Sequence, residues 1–482
     1  MGKESFAGKK ILVMGLGRFG GGLDTTEFMH DAGARVTVTD LADAEQLRKS
    51  LNQLARYPDI EYHLGGHNES DFKQTDIVVA NPAVLPDNRY LAIAEKAGAQ
   101  ITSQIEFFFR LCPALIIAVT GSNGKSTTSA LTAHLLRAAG NKDVRKYNDV
   151  WLSGNIGTEP LLMLLAKIAA DDLVVLELSS FQLEQLAAAA LAPKFALLTN
   201  LVPNHLDRYI TFENYCRAKE NIFKLQRCDS VSKAVSVFNI DDEIVSQLFE
   251  KYNRQPGRVS LKYSASDVPP QMCENFTLPG RVNISNLAAA MTIAKYFGVG
   301  DTDIRNSLGR FKPLPHRLEL ITRKSGVSWY NDSKATTPQS TIAAIEAFSR
   351  PQGGHPAEIR KKPSLIIIVG GYDKGLCFDE LALKMAQKTK AIILIGRCAE
   401  KIKRSVENAP VGTTGPASIV VKADSLAQAV ETANTIADSS DIVLFSPACA
   451  SYDMFDNFRQ RGEKFRELIH ALPVTDKSGK KR

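Results

Sequence analysis

The sequence predicts an α/β protein of three domains: a Rossmann-like N-terminal domain, a P-loop-like central parallel sheet and a Rossmann-like C-terminal domain. Three observations carry that expectation. Short apolar runs alternate with helix-like stretches along nearly the whole chain, two of those runs lead straight into glycine-rich loops, and a proline-punctuated hinge sets off the last third. At 482 residues the chain exceeds one ordinary core. The expected boundaries are 1–107, 108–312 and 313–482.

The first domain opens with the apolar strand 9–14, the loop GLGRFG at 15–20, a helix-like stretch to His30, a stop at Gly33 and a second strand from Arg35 that ends in Asp40. This βαβ unit matches a dinucleotide fingerprint, with an acidic residue about twenty positions after the last glycine. The same loop holds any diphosphate, so the ligand is left open between a cofactor and a substrate handle. A further strand, 76–81, brings Asn81 to the same crevice.

In the second domain the run 115–119 enters TGSNGKST at 120–127, the most informative stretch of the chain. Gly121 and Gly124 let the backbone curl so that its N–H groups, those of Ser122 and Asn123 among them, face an anion, and the new helix adds its positive N-terminal end. Lys125 would neutralise phosphate charge, and Ser126, followed by Thr127, would hold a magnesium ion. Strict spacing requires glycine at 119, where this chain has Val119, so the loop is a shorter relative of the common form.

Downstream, the strand 172–180 carries Glu177 between apolar neighbours, where an unpaired carboxylate is costly and a metal-facing one is not. Strand 194–200 runs into NHLDRY at 204–209, which makes His205 either a polar loop residue or a ligand. Lys219 shares a helix face with Phe212, Tyr215, Cys216, Ile222 and Phe223. It either snorkels to the surface or is desolvated, its pKa lowered, and then able to take up carbon dioxide as a metal-bridging carbamate.

The third domain follows the hinge from Phe311 through Pro313 and Pro315 to Glu319. Strands 327–330, 364–369 and 441–445 each end in a polar loop, at 331–337, 370–375 and 446–451, and loops at the carboxyl ends of such strands converge on one ligand. The stretch 351–363 reads as a surface loop without evident function.

Composition narrows the class. Hydrophobic content of 44% and charged content of 23% fit a soluble globular protein. The formal charge of +7 is modest and partly lies in the 477–482 tail, so nucleic-acid binding is not expected. Seven cysteines without a CxxC pair fit reduced thiols in a cytoplasmic protein. No signal-peptide pattern and no apolar run near twenty residues is present, so neither secretion nor membrane insertion is expected.

Taken together, GSNGKST at 121–127, GNIG at 154–157, ELSSFQ at 177–182, HLDRY at 205–209, Lys219, HRLE at 316–319, NDSKAT at 331–336, GGYDKG at 370–375 and SPACASYDMFDNFRQRG at 446–462 resemble the Mur ligase family. The resemblance covers nearly the whole chain. The last block is similar to the branch that adds D-glutamate to UDP-N-acetylmuramoyl-L-alanine. The resemblance implies an ATP- and Mg2+-dependent amide ligase that acts as a monomer on small-molecule substrates. It also implies that the first domain binds UDP rather than NAD, through Leu16, Gly17, Arg18 and Asp40, with Asn81 and Ser103 nearby and Asn155 also on the substrate. Lys125 would meet the ATP phosphates, Ser126 and Glu177 one magnesium, and His205 with carbamylated Lys219 a second. Asn286, Arg317 and Asp332 would contact the nucleotide, and Lys334, Thr336, Lys374, Ser451 and Phe458 would form the amino-acid pocket.

Two positions depart from the family's pattern. Val282 stands where histidine is frequent, and Asn204 where aspartate often precedes the loop histidine. Among rival readings, an NAD-dependent oxidoreductase has no use for the second glycine-rich loop, Glu177 or Lys219. Folate polyglutamylation or another Mur step is opposed by the block 446–462, and a catalytically silent nucleotide-binding regulator by the intact set Lys125, Glu177, His205 and Lys219.

Overall fold

The computed structural model describes residues 6–17, 20–139, 147–156, 159–228, 233–349, 365–410 and 418–473. Arg18, Gly157, the stretch 351–363 and the basic tail at 477–482 lie outside the described residues.

Three sheets follow the three predicted segments. The first contains β1 (Lys10–Met14), β2 (Arg35–Asp40), β3 (Glu61–Leu64), β4 (Ile77–Ala80) and β5 (Gln100–Thr102) in the order β3-β2-β1-β4-β5, all parallel. The second contains β6 (Leu115–Thr120), β7 (Val150–Gly154), β8 (Leu173–Glu177), β9 (Phe195–Leu198), β10 (Ala234–Asn239) and β11 (Arg258–Tyr263), in the order β11-β10-β9-β6-β8-β7 and again parallel throughout. The third contains β12 (Glu319–Lys324), β13 (Val327–Asn331), β14 (Leu365–Gly370), β15 (Thr389–Ile395), β16 (Ile419–Lys422) and β17 (Ile442–Phe445) in the order β12-β13-β17-β14-β15-β16. Only its edge pair β12–β13 is antiparallel.

Burial explains the sequence pattern. The inner strands β4, β8 and β14 are buried at every position, because helices cover both faces of such a sheet, and each reads as an apolar run, interrupted in β8 only by the terminal Glu177. The edge strand β12 is half exposed and reads ELITRK.

In each sheet, strand order reverses beside a strand that ends in a singled-out loop. β1 lies between β2 and β4, β6 between β8 and β9, and β14 and β17 are neighbours. Open α/β sheets bind ligands at such switch points, outside the carboxyl ends of the strands.

The described residues form two compact units. One runs to Asp267 and includes Asn286–Ser307; the other comprises Val268–Ser285 and everything from Leu308. The first two sheets share a unit because one apolar cluster runs through both, from Phe6, Phe107 and Phe108 to Leu162, Leu183 and Leu186. Residues 268–285, expected in the central domain, belong instead to the second unit.

Candidate active site

Around the first loop, Gly15 and Gly17 adopt φ of 94° and 66°, which glycine alone adopts without a Cβ penalty. Asp40, at the end of β2, receives the Gly17 N–H at 3.0 Å and the Ala42 N–H at 2.8 Å. Asn81, beyond β4, donates to Gly15 O at 3.3 Å. Gly17, Asp40 and Asn81 are therefore gathered at the switch point, as the fingerprint predicts. Leu16 is fully buried, and its side chain belongs to the core. Ser103 is buried and caps the helix Gln104–Leu111 by accepting the Glu106 N–H. The tightest approach falls on Gly22, outside the motif, where a Cβ would run into the carbonyls of Gly15 and Leu16.

The second loop is held from below by the end of β9. Thr199 Oγ1 donates to Asn123 O at 2.6 Å, and Asn200 both accepts the Asn123 N–H and donates to Asn123 O. The Ser122 N–H bonds Asn200 O, and the Ser122 hydroxyl bridges Val202 and Tyr215. The amides of Ser122 and Asn123, read in the sequence as donors to an anion, are thus taken up inside the loop. Gly124, at φ 81°, opens the helix Lys125–Arg137 without a side-chain cap. Lys125 bends back to donate to Gly121 O at 2.9 Å and Ser122 O at 2.8 Å, so its ammonium sits within the loop. Ser126 is fully buried and Thr127 partly. Asn286 lies against the helix start, accepting from Thr128 Oγ1 at 3.1 Å.

Glu177 ends β8 at 1% exposure. Asn155 donates to its Oε1 at 3.1 Å, and the Asn155 N–H bonds Glu177 O at 3.0 Å. Asn155, expected on the substrate, thus orients the carboxylate. Gly154 has to be glycine, since a Cβ at its φ of 95° would strike Glu177 O.

Lys219 is 2% exposed on the helix Phe212–Lys224, which excludes snorkelling. Its Nζ donates to Thr120 Oγ1 at 3.0 Å. Burial, with Lys125 adding to it and Glu177 opposing, drives the ammonium well below its ordinary pKa. His205, in the left-handed region at φ 53°, opens the turn Leu206–Tyr209 and packs against Phe181. Burial and the charge of Lys219 lower its pKa, which keeps the imidazole neutral and able to bind a cation. Asn204, the family departure, accepts the His205 N–H at 2.9 Å.

The donor chemistry fits magnesium. Ser126, in the first turn of the helix that follows β6, and Glu177, at the end of the neighbouring strand β8, offer hard oxygens. Among the described residues no cluster of three or more His, Cys, Asp or Glu side chains forms a metal cage. Magnesium suits such a sparse set, since it takes one or two carboxylates and completes its shell with substrate phosphates and water.

In the second unit, Asp332 follows β13 and accepts from Ser446 Oγ at 2.7 Å and the Leu318 N–H at 3.2 Å. Burial pushes its carboxyl up to about 7 against those bonds and the nearby Arg317. Lys334 lies 5.3 Å from the Phe458 ring, Thr336 is half-buried in the same loop, and Ser451 is buried after β17. Lys374 is exposed beside Tyr452. Val282 is exposed at the start of the helix Arg281–Tyr296.

Arg461 was not singled out in the sequence. Fully buried, it donates to Ser333 Oγ and O, Cys449 O and Ala450 O, joining the loops after β13 and β17. Its signal was legible: it shares a four-residue spacing with the buried Phe465 and Ile469 on the helix Phe458–Ala471. Thr199 and Asn200 were likewise missed as supports of the loop, although they end a strand predicted to reach the site.

Comparison with known proteins agrees along the chain. Residues 9–103 match the family model "Mur ligase MurD-like, N-terminal domain", 119–294 "Mur ligase middle domain" and 316–449 "Mur ligase, glutamate ligase domain". A UDP-N-acetylmuramoylalanine–D-glutamate ligase of Roseiflexus sp. is 38% identical, with 97% of this chain and 99% of the relative covered. One of Acetivibrio thermocellus is 34% identical, with 98% of each covered. Among solved structures, the UDP-N-acetylmuramate-alanine ligase MurC of Thermotoga maritima superposes with a TM-score of 0.56 at 18% identity, covering 96% of this chain and 99% of that one. MurF of Acinetobacter baumannii gives 0.55 at 14%, covering 96% and 92%; at such identities the likeness speaks to fold alone. No helix among the described residues is long and apolar enough to cross a membrane.

Proposed function

The chain belongs to the Mur ligase family, and from that premise we propose that it is an ATP-dependent ligase joining D-glutamate to UDP-N-acetylmuramoyl-L-alanine in peptidoglycan precursor synthesis. It acts as a cytoplasmic monomer on small-molecule substrates. The observation that carries the chemistry is the convergence of Lys125, Ser126, Glu177 and buried Lys219 around the ends of β6 and β8.

The substrate carboxylate attacks the γ-phosphorus of ATP, ADP leaves, and an acyl phosphate forms. Two anions must meet in that step, so positive charge has to be in place beforehand. Lys125 swings from the carbonyls of Gly121 and Ser122 onto the phosphates. Bound Mg2+, held by Ser126 and Glu177 and, at a second position, by His205 and carbamylated Lys219, would neutralise the phosphate charge further. The carbamate forms when neutral Lys219 adds to carbon dioxide and releases a proton.

The D-glutamate amine then attacks the acyl carbonyl, and collapse of the tetrahedral intermediate expels phosphate and leaves an amide. Lys334, Thr336, Lys374, Ser451 and Phe458 hold the amino acid, its carboxylates pairing with Lys374 and the hydroxyls, because a diacid is costly to bury unpaired. Gly17, Asp40 and Asn81, with Leu16, Arg18 and Ser103 around them, hold the UDP. Asn286, Arg317 and Asp332 hold the nucleoside of ATP.

The test follows phosphate release with ATP, Mg2+ and UDP-N-acetylmuramoyl-L-alanine while the amino acid is varied. Release that depends on D-glutamate is expected. Release with L-lysine or diaminopimelate, or with a folate acceptor, would reject the reading.

A further inference from the structure

Asp24 lies in the first turn of the helix Gly21–Asp31, directly after the first glycine-rich loop, and is 3% exposed. Its carboxylate does not bond within its own sheet's domain alone. Oδ2 accepts from Gln104 Nε2 at 2.5 Å and from the Leu162 N–H at 2.8 Å, and Oδ1 accepts the Met163 N–H at 3.2 Å. Leu162 and Met163 open the short 3-10 turn Met163–Ala166 in the connection from β7 to β8. That connection begins at Gly154 and Asn155, and Asn155 orients Glu177.

We propose that Asp24 is a positioning residue, tying the loop that holds the UDP handle to the segment that orients Glu177 and so setting the distance between the two halves of the substrate site. The proposal rests on the function given above. Three N–H groups converge on the side chain, and a carboxylate can accept all three; the amide of asparagine offers one oxygen, and alanine none. A reaction that needs carboxylate and γ-phosphate in line is sensitive to such spacing.

The tie also responds to pH. Burial pushes the Asp24 carboxyl up to about 6, with Glu27 one turn away adding to the rise and the bonds from Leu162, Met163 and Gln104 opposing it. Glu27 is paired with Arg56, Glu106 on the helix of Gln104 with Arg110, and Glu159 near the turn with Lys167. A carboxyl whose pKa is higher docked than free is held more tightly as the proton binds. Docking therefore strengthens as pH falls through about 6 and loosens above it.

Two variants, Asp24→Ala and the near-isosteric Asp24→Asn, test this by steady-state kinetics and by amide hydrogen exchange of residues 159–166 between about pH 5 and 8. For Asp24→Ala, KM for UDP-N-acetylmuramoyl-L-alanine should rise about ten-fold while KM for ATP stays within about two-fold. The Leu162 and Met163 amides should lose protection. In Asp24→Asn the extra protection that the wild type gains below about pH 6, after correction for intrinsic exchange, should vanish. Unchanged protection in both variants overturns the tie, and lost protection with an unchanged substrate KM overturns the positioning role. If the wild type ligates nothing yet exchange behaves as expected, the tie stands and the functional reading falls.

Discussion

Lys219 Nζ and Thr120 Oγ1 meet at 3.0 Å behind the phosphate loop, and Thr120 passes the bond on to Leu178 O at 2.7 Å. A side chain from the helix Phe212–Lys224 is thereby fixed against the ends of β6 and β8, between Lys125 and Glu177. Its burial is bearable for a neutral amine and becomes useful once the amine carries a carboxylate. Lys219→Ala should accordingly lose at least about a hundred-fold in kcat, and short-chain carboxylic acids should partly restore the rate by filling the vacated space as the missing anion. Full activity in the variant without additives would remove the carbamate from the mechanism.

The loop predicts its own most sensitive position. At Gly121, φ is 145° and an added Cβ would be driven into Thr199 Oγ1, the group that holds Asn123 O. Gly121→Ala must therefore adopt an unfavourable backbone and displace a loop support together, costing about 1–3 kcal/mol locally from the backbone alone. Thermal stabilisation by ATP should disappear, with the UDP-substrate still stabilising. A variant that ATP protects like the wild type would show that the loop does not hold the phosphates.

How much of this was legible follows from what each signal records. Three strands of each sheet were readable because parallel strands buried on both faces become short apolar runs, while β3, β5, β7, β10, β11, β12, β15 and β16 were not singled out; Glu177 stood out as a charge inside such a run and Lys219 as one on an apolar helix face. Spacing does not record which partner a buried polar group takes. That Asn155 holds Glu177, and that Ser122 and Asn123 spend their amides on Asn200, is not written in the motif that contains them. The helical spacing of Arg461 with Phe465 and Ile469 marks it as buried, but its partners, three backbone carbonyls and the Ser333 hydroxyl, leave no mark in a sequence.

Arg461 carries its own expectation. One guanidinium serves four acceptors on two loops, and neither a lysine ammonium nor a smaller group spans them. Arg461→Ala should destabilise the second unit by about 3 kcal/mol, since buried acceptors are left without donors. Arg461→Lys should fold more nearly as the wild type and show a raised KM for D-glutamate with KM for UDP-N-acetylmuramoyl-L-alanine unchanged. Equal effects on both constants would place Arg461 outside the amino-acid pocket.

Asp332 gives the pH dependence of the same unit. Its carboxyl is buried and pushed up to about 7 from 3.8, so the folded protein binds a proton that the unfolded chain has already lost between those values. Stability then falls as pH rises from about 4 to about 7, by an amount on the order of 4 kcal/mol, and levels off above. Asp332→Asn cannot ionise and retains an oxygen for the Leu318 N–H or the Ser446 hydroxyl. Urea unfolding followed at several pH values should show this falling limb in the wild type and a flatter one in the variant. The variant should be the more stable of the two above about pH 7, where the wild type bears the buried charge. A wild-type stability that follows Asp332→Asn in parallel across this window, with no extra falling limb, would mean that the bonds from Ser446 and Leu318 offset burial and that the carboxylate is ionised throughout.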